Sequence, residues 1–273
     1  MSGIPINSNI LVWVENLQAR GRTAFTLQDV RKAFTDHSEA AIKLSLNRLS
    51  KKEKILSIHK GYYLIIPPQY ASRGILPPTL YLDDLMKFLE RPYYIGLLNA
   101  ASFYGASHQQ PQEFFVFTSF PVLRPTKKKG VKVNYISKKE IPEQLLQSRK
   151  TETGYLKISS PELTATDLVQ FEKRIGGMSR VATVLNELTD EMKPQYFTKQ
   201  FLKKIPVTAI QRLGYLLEKI LNKEILATHL YEESQNTKLN FFRIPLKASG
   251  KTKGFPFDEK WKIIINTEIE IDE

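Results

Sequence analysis

The chain has 273 residues, a net charge of +12 and no cysteine. That length buries the core of one large domain or two modest ones, and the lack of cysteine excludes disulfides, thiolate metal sites and cysteine nucleophiles. The 42% hydrophobic content suits a folded soluble protein. No apolar run approaches the roughly 18 residues of a membrane span and the polar N-terminus lacks a secretory core, so a cytoplasmic location is expected.

In chain order, Asn7 or Ser8 is expected to cap a helix running to about Ala19, with Ile10, Leu11, Val14 and Leu17 on one face. Arg20-Gly21-Arg22 ends it. Thr26 with Asp29 resembles a capping box and opens a short helix reaching about Phe34. After the turn Thr35-Asp36-His37, Ser38 caps a third helix in which Ile42, Leu46 and Leu49 face inward. Ile55–Ile58 and Tyr62–Ile66 read as strands joined through Lys60-Gly61. Three helices and a hairpin within about 65 residues are the layout of a winged helix-turn-helix. Residues 1–68 are therefore expected to form that domain, and the proline-rich stretch 69–79 a linker.

Residues 80–273 read as a larger mixed domain, giving an α+β protein overall. Helices are expected at 80–90 and 93–104, separated by Arg91-Pro92, and strands at 113–119, 131–137 and 154–159. Ser160-Pro161-Glu162 has the chemistry of a helix start. Gly176-Gly177 breaks the chain before another helix, and a helical subdomain is expected near 193–235. The tail alternates in LNFFRIPLK and WKIIINTEIEI, as strands do.

Little of the sequence points to catalysis. It holds no G-x-S-x-G elbow, and His37, His59, His108 and His229 are isolated, so no metal or other cofactor is expected. Gly250-Lys251-Thr252 lacks the earlier glycine of a phosphate loop, because position 245 is proline. Glu162 and Asp167 are five apart and share a helix face poorly, a weak basis for an acid/base pair. No enzyme activity is expected.

The positive charge points to polyanions. If Ile42, Leu46 and Leu49 are buried, Lys43 and Asn47 project outward, where Asn47 would pair with an adenine edge and Lys43 with guanine or phosphate. Ser38, Arg48, Lys51 and Lys52 extend that surface, while Lys60 and Tyr62 would serve the wing. Six such phosphate contacts imply a log–log salt slope on the order of −5. Residues 114–139 contain no acid, and Arg124, Lys127, Lys128, Lys129 and Lys132 there form either a second phosphate-binding surface or a protected sheet edge. A further acid-poor stretch, 234–257, carries Lys238, Arg243, Lys247, Lys251 and Lys253.

The order of blocks KGYYLI, RPYYIGLLNAASFYGASHQQPQEFFVFT, KISSPELTATDLVQF and GGMSRVATVLNEL, over roughly residues 5–225, resembles AbiEi-type antitoxins of bacterial abortive-infection systems. The resemblance implies a type IV toxin–antitoxin system active in phage defence. It implies an N-terminal winged helix that represses its own operon at inverted repeats, and a C-terminal domain that counteracts a nucleotidyltransferase-like toxin without requiring a stable complex. A monomer that pairs on DNA, with no membrane partner, fits the absence of coiled-coil heptads. The alternative is a winged-helix regulator with no toxin partner, whose C-terminal domain senses a ligand or oligomerises. A nucleic-acid enzyme using Glu162 and Asp167 is the more distant one.

Overall fold

The computed structural model describes residues 9–106, 111 and 113–271. In chain order, α1 (Ile10–Ala19), β1 (Ala24–Thr26), α2 (Leu27–Ala33) and α3 (Glu39–Lys51) lead into β2 (Ile55–His59) and β3 (Tyr62–Ile65). Next come α4 (Leu82–Phe88), β4 (Tyr93–Ile95), α5 (Leu97–Phe103), β5 (Glu113–Ser119), β6 (Thr126–Lys128) and β7 (Val131–Lys138). They are followed by β8 (Leu146–Thr151), β9 (Gly154–Ser159), α6 (Pro161–Gln170), α7 (Met178–Leu188) and α8 (Lys199–Leu202). The rest comprises α9 (Val207–Tyr215), α10 (Glu224–Asn236) and the two-residue strands β10 (Ile244–Pro245), β11 (Phe257–Asp258) and β12 (Ile263–Ile264). A π-helical turn, Leu216–Ile220, extends α9.

The chain divides into two compact units. One comprises Met1–Tyr93, Gln112–Lys139 and Ser148–Lys157; the other comprises Tyr94–Pro111, Glu140–Gln147 and Ile158–Glu273.

In the first unit, three helices pack with an antiparallel sheet of order β1-β3-β2, whose first strand lies between α1 and α2 and whose other two follow α3, the arrangement of a winged helix. The expected first caps, Asn7 and Ser8, lie outside the described residues; Asn9 caps α1, its side chain accepting from the Leu11 amide at 2.9 Å. Thr26 and Asp29 form a reciprocal capping box, satisfying two amides that the first turn of α2 leaves without partners. Ile42, Leu46 and Leu49 of α3 join Trp13, Phe25, Val30, Phe34 and Ile55 in one apolar core. The Trp13 ring meets Phe25 and Phe34 edge-on at 5.3 and 6.0 Å. Gly61 takes φ +75° at the wing turn, where a side chain would be strained.

Two features of this unit differ from expectation. β1, only three residues long, has no alternating pattern to reveal it, yet Phe25 pairs with Tyr63 across the sheet. The stretch 69–79 was expected as a linker, but Ile75 and Leu76 are buried at 3% and 1% exposure in a cluster with Ala24, Ile58, Tyr62 and Leu64. Apolar burial ties this proline-rich stretch to the wing. In the same unit β5 pairs in parallel with β7 over seven registers, and β6 pairs with β7 antiparallel.

In the second unit, the helix expected from residue 93 is replaced by β4 and then α5. Tyr93, Tyr94 and Ile95 favour a strand, and Gly96, extended at φ −132° and ψ −171°, delays the helix to Leu97. β4 and β9 meet in parallel at Ile95 and Ile158. α6 is buried at nine of its ten residues and packs against α5, α7 and α9. Ser160 caps it through the Leu163 amide at 3.2 Å, with Pro161 in the first turn. The two alternating tail patches form only two-residue strands, because Pro245, Gly250, Gly254 and Pro256 interrupt pairing. Trp261 anchors this tail: it is fully buried against Gly214 of α9.

Candidate nucleic-acid interface

α3 has opposite chemistry on its two sides. Ile42, Leu46 and Leu49 are buried, and Lys43, Leu44, Asn47, Arg48 and Lys51 are exposed. The Ser38 Oγ accepts from the Ala41 amide at 3.2 Å, fixing the start of the helix. Lys43, Arg48, Lys51, Lys52 and Lys60 have no carboxylate within 4.0 Å among the described residues, so their charge is available to an external anion. Lys60 stands at the wing turn beside His59, whose Nδ1 lies 3.3 Å from the Lys60 carbonyl.

The neighbouring acids are already engaged. Glu39, at the first turn of α3, pairs with Arg31 of α2 at 2.7 Å, and the Arg31 hydrogen bond holds its carboxyl below the usual range. Asp29 is used in the capping box. Sequence reading passed over Arg31, because its partner is eight residues away across a turn. It also passed over Leu44, 51% exposed among the outward cations, since Leu44 falls outside the apolar stripe.

Tyr62, expected to offer its hydroxyl to a phosphate, is a correction. The side chain is 2% exposed, packs its ring 5.2 Å from Phe88, and its hydroxyl has no hydrogen-bond partner among the described residues. Burial pushes the phenol far above its ordinary value. In β3, Tyr62 lies on the covered face of the hairpin, against α4.

The second basic group is only partly free. Lys129 pairs with Glu53 at 2.5 Å, just past the end of α3, and Lys132 pairs with Glu113 at 2.7 Å. Both lysines therefore hold their own unit together. Arg124, Lys127 and Lys128 remain exposed with no such partner among the described residues.

In the second unit the motif residues form a buried polar network. Tyr94 donates to Asp167 at 2.8 Å, and Tyr104 donates to the Ser159 carbonyl at 2.7 Å. Ser159 and Thr164 share a hydrogen bond of 2.6 Å. Burial, then the Asp167 charge, raises the Tyr94 phenol well above its ordinary value. Glu162 is 1% exposed and accepts from the Lys193 amide at 3.0 Å; burial raises its carboxyl despite that bond. Glu162 and Asp167 are thus tied to different neighbours. Glu162 also borders a cleft of about 550 Å³ lined by Gln144, Gln147, Tyr196 and Lys203. Among the described residues no group of histidines and carboxylates has the makings of a metal site, and no helix is long and apolar enough to cross a membrane.

These features define an α+β protein with an N-terminal winged helix that exposes cations on its third helix. Residues 94–219 match the family model of the AbiEi antitoxin C-terminal domain. The match spans 126 of the 273 residues and is a likeness of that part of the chain to the antitoxin's C-terminal domain. The fold is similar to the crystal structure of the Rv2827c protein from Mycobacterium tuberculosis, at 16% identity and a TM-score of 0.67, covering 97% of this chain and 92% of that one. No curated protein matches the sequence.

Proposed function

We propose that this chain is the antitoxin of a type IV abortive-infection system, and that it represses its own operon by binding inverted repeats in the promoter. The observation that carries the repressor half is the unpaired row Lys43, Asn47, Arg48 and Lys51, set opposite the buried Ile42, Leu46 and Leu49. In this reading residues 1–68 contact DNA, and the chain beyond Pro78 counteracts a nucleotidyltransferase-like toxin without needing a stable complex. Asn47 reads an adenine edge and Leu44 packs on a thymine methyl. Lys43 contacts guanine or phosphate, while Ser38, Arg48, Lys51, Lys52 and Lys60 contact backbone. Arg124, Lys127 and Lys128 add phosphate contacts.

A monomer in solution would pair on a palindromic site, so each loss is felt twice. A gel-shift titration of the promoter against scrambled DNA tests this. Asn47→Ala should cost about 1–3 kcal/mol per half-site on the promoter, and little on scrambled DNA. Lys51→Ala should weaken both and lower the salt slope by about 0.9 per protomer. Equal wild-type affinity for both DNAs would overturn sequence-specific repression. Rescue of cells from the adjacent gene's toxicity tests the antitoxin half separately.

A further inference from the structure

We propose that the small C-terminal sheet, residues 242–266, is a binding surface for single-stranded nucleic acid. It lies outside the family match, which ends at residue 219, and the inference does not depend on operator binding by the winged helix. From residue 234 to 257 the chain carries Lys238, Arg243, Lys247, Lys251 and Lys253 and no acid. Lys247, Lys251 and Lys253 are exposed, with no carboxylate within 4.0 Å among the described residues. The nearest acids are occupied: Asp258 accepts from the Trp261 amide at 2.6 Å, and Glu259 pairs with Lys262 at 2.9 Å.

The loop bearing these lysines is held in place. Asn266 accepts from the Lys247 amide at 2.9 Å and donates to the Lys247 and Lys251 carbonyls at 3.1 and 3.4 Å. Strand pairing fixes both ends, Ile244 on Ile263 and Phe257 on Ile264. The cations are thus presented on a tethered loop, which lowers the ordering cost of binding.

Aromatic rings decide the kind of polyanion. Phe242 and Phe255 are 49% and 41% exposed, beside Arg243 and two residues from Phe257 respectively. The Arg243 guanidinium lies 4.6 Å from the Phe257 ring centre, and the Lys262 ammonium lies 5.8 Å from it. Exposed rings among cations are platforms on which unpaired bases stack, and a duplex keeps its base faces covered. Anionic lipid would satisfy the charge as well, so it is one of the arms of the test.

Fluorescence anisotropy of full-length protein with a labelled 15-nucleotide RNA, its DNA counterpart, the promoter duplex and phosphatidylserine vesicles separates these cases. Lys251→Ser with Lys253→Ser should weaken both single strands about tenfold and lower the salt slope by about 1.4. Phe242→Ser with Phe255→Ser should weaken them about tenfold or more with the slope unchanged. Lys251→Arg with Lys253→Arg should retain binding. Promoter affinity should survive all three, and circular dichroism should confirm that each variant is folded. Single-strand affinity unchanged in the serine variants would overturn the proposal. So would a loss confined to the lysine variant and shared by the duplex, or tail-dependent vesicle binding stronger than RNA binding.

Discussion

Replacing Gly214 by alanine tests how the C-terminal tail is held to α9. A Cβ on Gly214 would lie 2.0 Å from Cζ3 and 2.1 Å from Cη2 of Trp261, where ordinary contact begins at 3.4 Å. The indole must therefore retreat by about 1.4 Å (3.4 less 2.0). It has nowhere to go without breaking bonds. Its Nε1 donates to Glu218 at 2.8 Å, its carbonyl accepts from Gln211 at 2.8 Å, and the ring is fully buried beside Phe241 and Tyr231. Overpacking costs about 1–3 kcal/mol, and losing a hydrogen bond to a charged group about 1.5–3 kcal/mol. Against this, alanine favours the helix over glycine by about 1 kcal/mol. The net expectation is a loss of about 1.5–5 kcal/mol, with packing outweighing propensity. Urea unfolding followed by far-UV circular dichroism and tryptophan fluorescence measures it. Trp261→Leu should relieve the clash, so the double variant should lose less than the sum of the single ones. A midpoint for Gly214→Ala at or above that of the wild type would refute the reasoning.

Other consequences follow from the same geometry. Tyr62→Phe removes a buried hydroxyl that has no partner among the described residues, so stability should hold or rise by about 1 kcal/mol and promoter affinity should stay unchanged; a tenfold loss on promoter DNA would restore Tyr62 as a phosphate contact. Tyr94→Phe takes a donor from the buried Asp167 and should cost about 1–3 kcal/mol in denaturant unfolding. A neutral result there would mean that the bond does not secure β4 to α6. At Glu218 burial alone would raise the carboxyl, but hydrogen bonds from Lys219, Lys260 and Trp261 win and hold it at about 2, below its usual 4.5. Its contribution is therefore complete above about pH 4.5 and lost as pH falls toward 2. Glu218→Gln should flatten that limb of the stability profile, and an unchanged limb would place the acid sensitivity elsewhere.

Where short-range chemistry decides structure, the sequence was legible. The Thr26–Asp29 capping box, the Ser38 and Ser160 caps and the buried row Ile42, Leu46 and Leu49 all stand as their spacing indicated. The strands at 113–119 and 154–159 were equally plain, because aromatic and β-branched residues concentrate there in short runs of strand length. Residues 93–95 misled, since an aromatic strand running into a helix without a polar cap reads as one helix. The tail misled for the opposite reason: alternation was present, but its prolines and glycines limited each strand to two residues.

For the candidate interface, the sequence by itself determined which residue types face outward on α3, because a period of 3.6 separates them from the core. It also determined where positive charge accumulates, since charge adds along the chain whatever the fold. Only the tertiary structure decided which of those charges are free. Lys129 and Lys132 are taken by Glu53 and Glu113, partners 76 and 19 residues away, and no local pattern encodes such pairs. It likewise decided that Tyr62 is buried, because α4 covers that face of the wing through contacts absent from the hairpin itself. Burial and pairing are properties of distant segments brought together, so they become readable only once the chain has folded.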